Sequence, residues 1–204
     1  GDEVLIAEYF FWDAGKNELQ KSQEGLLRSL IYQLLRKYPD SICHVFPDAW
    51  QHCNRLMSNI QGHETSAQAL GIPTDTAGLT VALQRTCDAL AQSEKRFCFF
   101  VDGLDEYSGD ANQLVELVKV LRALKQVKIC VSSRPWLEFE RAYGKSHTTK
   151  LLMEDFNQRD ISAYVSDIFE NDEDYQELQD IEISGKALVE EIVIAANGVF
   201  LWVV

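Results

Sequence analysis

The chain has 204 residues, 46% of them hydrophobic and 25% charged, which supplies a globular core and excludes a disordered, collagen-like or fibrous chain. Its formal charge of −13 excludes a nucleic-acid platform, because phosphate binding needs clustered Lys and Arg to displace condensed counterions. The acid excess is uneven: residues 151–204 hold thirteen Asp/Glu against two Lys/Arg, whereas residues 1–150 hold nineteen against seventeen.

In chain order, Val4–Trp12 (VLIAEYFFW) is rich in β-branched and aromatic residues and is bounded by the turn-like 13–17, so it predicts a strand and a loop. From Ser22 the spacing of Leu26, Leu27, Leu30, Ile31, Leu34 and Leu35 predicts an amphipathic helix, which Pro39 stops. Residues 41–57 are helix-compatible, and the polar stretch 58–78, with three glycines and Pro73, predicts a surface loop or insertion. Thr80–Ala91 predicts a second amphipathic helix. The five apolar residues FCFFV that follow predict a strand buried on both faces. Leu114–Leu124 predicts another helix, VKICVSS a second buried strand, and Lys150–Met153 a last short one. Strands alternating with helices imply a mostly parallel sheet covered on both sides. Beyond it come a helix near Asp160–Glu170, an acidic loop at 171–182 and a helix from about Gly185. The expected domains are therefore an α/β core over residues 1–153 and an acidic helical lid subdomain over 154–204.

The five cysteines, Cys43, Cys53, Cys87, Cys98 and Cys130, contain no CxxC pair and fit a reducing, cytoplasmic setting. The terminal apolar stretch Ile192–Val204 is shorter than the roughly 20 residues of a bilayer span, so no membrane association is expected. The chain opens almost directly into a strand and ends in an uncapped apolar run, so both ends are expected to be cut from something longer.

The chemistry concentrates where buried strands stop. FCFFVDGLDEY ends a hydrophobic strand in Asp102, Gly103, Asp105 and Glu106, at the carboxyl edge where open α/β sheets bind ligands. A carboxylate at a strand tip holds Mg²⁺ directly or through water, and an acid a few residues on orients an attacking water. Gly103 leaves space beside Asp102. The alternative is an ordinary βα turn with a solvated acidic helix start. VKICVSSRP ends a second buried strand in two hydroxyls and Arg134, held against Pro135; a fixed guanidinium there reads a γ-phosphate. Its alternative is a surface ion pair.

Together FCFFVDGLDEY and KICVSSRPWLEFE resemble the Walker B and sensor 1 segments of the NACHT family, in the signal-transducing STAND class of P-loop NTPases. AEYFFW, QKSQEGLLRSLIYQLL and the closing ANGVFLWVV are similar to its fungal, nephrocystin-type branch. The resemblance implies a P-loop NTPase-like parallel sheet with a C-terminal helical subdomain, Mg²⁺ and ATP or GTP as cofactors, and a nucleotide-driven switch that oligomerises. Residue by residue it makes Asp102 the Mg²⁺ ligand, Gly103 the small Walker B residue, Glu106 the water-orienting residue with Asp105 second, and Arg134, with Ser133 beside it, the sensor of the nucleotide.

The chain departs from that pattern in one respect that decides affinity. No G-x-x-x-x-G-K-[ST] string occurs, so the loop whose N–H groups cradle phosphates is missing; Gly15-Lys16 is followed by Asn17 and reads as a turn. The family's first strand, central in its sheet, is missing with it, and Gly198-Val199-Phe200 lacks the adenine-packing Pro of related switches. Nucleotide binding is expected to be defective, and exposed sheet edges to favour self-association or protein partners. Cys43-His44 and His52-Cys53 lack the spacing of closed zinc sites, and Cys98 and Cys130 are expected to be buried thiols. The four tryptophans read as core or interface anchors, His63 and His147 carry no signal, and 171–174 lacks the pattern of a calcium loop. The sequence thus supports a truncated NACHT-type switch core; its rival is a non-catalytic interaction module.

Overall fold

A computed structural model of the chain describes residues 3–58, 70–92, 94–145, 149–171 and 185–203. His63, His147, 172–174 of the acidic run and most of the 58–78 insertion lie outside them. The chain divides into two compact units, Gly1–Lys145 and Ser146–Val204.

The first unit is built on three parallel strands in the order β1 (Val4–Phe10), β2 (Arg96–Asp102) and β3 (Val127–Val131). Register places Leu5, Ala7 and Tyr9 beside Phe97, Phe99 and Val101. All six are buried and form one core with the apolar stripes of helices α1 (Gln23–Lys37), α4 (Thr76–Ala91) and α5 (Ala111–Ala123). Two short helices, α2 (Ile42–Val45) and α3 (Pro47–Ser58), lie between α1 and α4 in sequence, and α6 (Leu137–Tyr143) follows β3. The N-termini of α1, α4 and α5 are capped, since the side chains of Ser22, Asp75 and Asp110 accept main-chain N–H groups in their first turns.

Two expectations about the sheet fail. The strands are not buried on both faces, and the sheet is not covered on both sides among the described residues: Ile6, Phe10 and Phe100 are 63%, 58% and 42% exposed, and Cys130 is exposed with Cys98 half-buried. The helices' buried stripes belong to one core on one face, and an apolar run in sequence cannot distinguish a strand covered twice from one covered once. The tryptophans are not core anchors either, since Trp12, Trp50, Trp136 and Trp202 are all exposed.

The two sheet edges differ. At the β1 edge the Gln33 side-chain amide imitates a neighbouring strand, its Oε1 accepting the Glu8 N–H at 3.0 Å while its Nε2 donates to the Glu8 carbonyl at 2.7 Å. At the β3 edge the core-side residues Val127, Ile129 and Val131 stay half-buried, while their counterparts in β1 and β2 are sealed. The three strands are direct neighbours with no gap between them, so a further strand has a place only outside them.

The second unit contains α7 (Met153–Glu170) and α8 (Gly185–Ala196), which share a small core of Ile161, Val165 and Ala196. The strand expected at Lys150–Met153 does not form: residues 150–152 are irregular and Met153 opens α7. That segment has no β-branched residue, its leucines find no strand to pair with, and Glu154 and Asp155 favour the positive end of a helix. Gly198 has φ +77° and sits so close to Glu154 that a Cβ would meet its backbone Cα at 2.4 Å.

Candidate functional site

Because all three strands run parallel, their tips share one edge, and the sequence-predicted acids gather there. β2 ends at Asp102; Gly103 then turns the chain with φ +71°, and Leu104–Glu106 form a single 3₁₀ turn. Glycine is required at 103 for that left-handed backbone, and the Phe11 carbonyl would lie 3.2 Å from an added Cβ. Free space beside Asp102 is thus not the residue's first purpose.

Each acid holds a different neighbour. Asp102 Oδ1 accepts a short hydrogen bond from the Ser132 hydroxyl, and Ser132 Oγ in turn accepts the Gly103 N–H at 3.3 Å. Asp105, whose side chain is 8% exposed, accepts the Arg134 main-chain N–H on Oδ1 at 2.9 Å and meets Arg134 Nε with Oδ2 at 3.4 Å. Glu106 Oε2 accepts the Asp13 N–H at 3.0 Å and so fixes the loop after β1. Two main-chain bonds, Ser132 N–H to the Val101 carbonyl and Leu104 N–H to the Ser132 carbonyl, complete the join between the tips of β2 and β3.

Arg134 therefore lies at the same edge as Asp102, three residues past the end of β3, with its side chain 80% exposed. The Ser133 hydroxyl points elsewhere and donates to the Arg134 carbonyl at 2.8 Å. Sequence reading named Ser133 and missed Ser132 and Asp13. Strand register would have found Ser132, because Val101 pairs with Val131 and the next residues are Asp102 and Ser132. Nothing in the sequence marks Asp13, whose contribution is a main-chain N–H.

The donor set fits Mg²⁺ in one way. Mg²⁺ takes one or two carboxylates plus waters and substrate phosphates. Asp102 with the Ser132 hydroxyl supplies one such corner, whereas Asp105 and Glu106 are spent on hydrogen bonds within the fold. Among the described residues no group of three His, Cys, Asp or Glu is arranged to hold a metal by itself, and that includes Cys43, His44, His52 and Cys53. Cys43 Sγ instead lies 3.2 Å from His44 Nδ1. The residues thus fit a cation that arrives with a phosphate chain and do not form a self-sufficient metal centre.

Burial and ion pairing shift titration at several positions. Burial, with Asp88 adding to it, pushes the Cys87 thiol up to about 12, which leaves it a packed hydrophobe. At the opposite end of the sheet, Lys95, Lys37 and Tyr38 hold the Glu3 carboxyl down at about 2. No helix among the described residues is long and apolar enough to cross a membrane.

No curated protein and no solved structure matches the chain significantly. Residues 2–134 match the family described as nephrocystin 3, N-terminal, and this span holds the whole sheet and every side chain of the candidate site. With that match over more than half its length, the chain belongs to the nephrocystin 3 N-terminal family.

Proposed function

We propose that the chain is part of a NACHT-type P-loop NTPase switch, in which the carboxyl edge of the sheet meets the Mg²⁺–phosphate end of ATP or GTP and nucleotide state governs self-association or protein partners. One observation carries this reading: Asp102 and Arg134 emerge on adjacent strand tips that are joined to each other by the Ser132 hydroxyl and two main-chain bonds. An acid and a cation on adjacent strand tips at such an edge match the two ends of a metal–phosphate pair.

In this reading Asp102 and Ser132 hold the cation side of the ligand. Arg134 binds phosphate oxygens, and Glu106 fixes the loop after β1 that borders the site. Bound Mg²⁺ would neutralise phosphate charge as the ligand binds. Asp105 and Glu106, each already accepting hydrogen bonds, are less suited to orient an attacking water than the sequence alone implied. The resemblance assigns phosphate cradling to a Walker A loop that the sequence does not contain, so binding by these 204 residues is weak. The half-buried row at the β3 edge supports this account, since a further strand there would finish the core.

The interaction-module alternative draws on the exposed apolar sheet face and on the Arg134–Asp105 pair, which an arginine without a ligand also forms. Mg²⁺-dependent binding of fluorescent ATP and GTP analogues separates the two. The switch reading expects weak, Mg²⁺-dependent binding that Asp102→Ala abolishes; binding that ignores both Mg²⁺ and Asp102 supports the alternative.

A further inference from the structure

We infer that Asp105 is a positioning residue for Arg134: it holds the guanidinium by one edge so that the two η nitrogens face outward, end on, toward an anion of the phosphate class. The identity of the anion rests on the nucleotide reading above; the positioning rests on geometry alone.

A surface carboxylate that merely neutralises an arginine commonly takes two parallel N–H bonds from the fork. Asp105 is arranged differently. It is almost fully buried, and one of its oxygens is occupied by the Arg134 main-chain N–H at 2.9 Å, so only the second remains for the side chain, at Nε. A guanidinium has five N–H donors in a fixed fork, and an Nε contact leaves the four on the η nitrogens. The carboxylate approaches the side chain at Nε, and the side chain is otherwise 80% exposed.

The backbone beneath is also fixed. The Arg134 carbonyl accepts the Trp136 N–H and the Ser133 hydroxyl, each at 2.8 Å, and Pro135 restricts the turn between them. The arginine is thus hydrogen-bonded at its N–H and its carbonyl and ion-paired at its Nε at 3.4 Å, and the far end is left to find a ligand. Such preorganisation lowers the conformational cost of binding. Lysine could satisfy Asp105 or an anion, but as a single point charge not both in this geometry.

The test is side-chain NMR of the ¹⁵N-labelled chain, following the Arg134 Nε–H signal in the wild type and in Asp105→Asn, whose remaining oxygen still accepts the Arg134 main-chain N–H. The wild-type signal is expected to be rigid on the picosecond–nanosecond timescale and the variant's mobile. Titration with millimolar magnesium pyrophosphate should move the wild-type signal, with affinity falling about threefold to tenfold in Asp105→Asn as preorganisation is lost. Equal mobility in the two proteins overturns the positioning while leaving the nucleotide reading intact. A rigid signal that pyrophosphate leaves unmoved overturns the assigned ligand and the nucleotide reading with it. Should Asp105→Asn fail to fold, Arg134→Lys takes its place: loss of the pyrophosphate response supports the fork geometry, and an unchanged affinity overturns it.

Discussion

The two ends of the sheet handle charge in opposite ways. At the amino end, Glu3 is paired with Lys37 at 2.9 Å, with Lys95 and with the Tyr38 hydroxyl, so one carboxylate is saturated by two cations. At the carboxyl end, Asp102, Asp105 and Glu106 hold a serine hydroxyl and main-chain N–H groups, and among the described residues Arg134 is the one cation paired with them. The amino end holds its one carboxylate between two cations and serves the fold by joining the starts of β1 and β2 to the end of α1. The carboxyl end is joined by hydrogen bonds, and its three carboxylates face one paired cation.

Substitutions can break this contrast, and the largest effect is expected where the carboxyl end is most tightly packed. Gly25, in the first turn of α1, lies so close to the 3₁₀ turn at Glu18–Lys21 that a Cβ would sit 1.8 Å from the Leu19 carbonyl and 2.8 Å from the Tyr9 hydroxyl. Gly25→Ala should cost about 3 kcal/mol through overpacking, read as a lowered urea midpoint with unchanged slope. Gly103→Ala comes next, because an L side chain must adopt φ +71° beside the Phe11 carbonyl; a loss of about 1–2 kcal/mol is expected.

Asp105→Ala removes the acceptor of the Arg134 N–H and should cost about 1 kcal/mol, whereas Asp105→Asn retains most of that stability. A double-mutant cycle with Arg134→Ala separates the ion pair from the main-chain bond.

The smallest effect distinguishes the amino end by pH. The Glu3 carboxyl titrates at about 2 in the folded chain, below the ordinary 4.5, so its pairing stabilises fully above pH 4.5 and is lost as pH falls toward 2. Lys95 is raised above its ordinary range, chiefly by Glu3, so the same pair is also lost on the alkaline side as Lys95 deprotonates. Thermal unfolding of Glu3→Gln against wild type should therefore differ at neutral pH and converge near pH 2. A gap that persists there would assign the effect to packing.

Much of the fold was legible in the sequence because its signals are local. The α1 stripe, Leu26 to Leu35, is buried as its spacing predicts, and β1 and β2 lie where their β-branched and aromatic runs placed them. What escaped depends on distant partners. The exposure of Phe100 and Cys130 is set by which face the helices cover, and the failure of a strand at Lys150–Met153 by the absence of a neighbouring strand for it. At the site, Asp102, Gly103 and Arg134 stood out because strand interiors reject them. Ser132 and Asp13 did not, since one required the register of two strands and the other acts through its backbone.

On the proposed reading the carboxyl edge meets the metal–phosphate end of a nucleotide although these 204 residues contain no Walker A loop. Its most direct test is Mg²⁺-dependent nucleotide affinity of this chain and of Asp102→Ala. Weak, Mg²⁺-dependent binding by the chain and its loss in Asp102→Ala are expected. A folded chain that binds no nucleotide, or binds it equally well without Asp102, would contradict the reading.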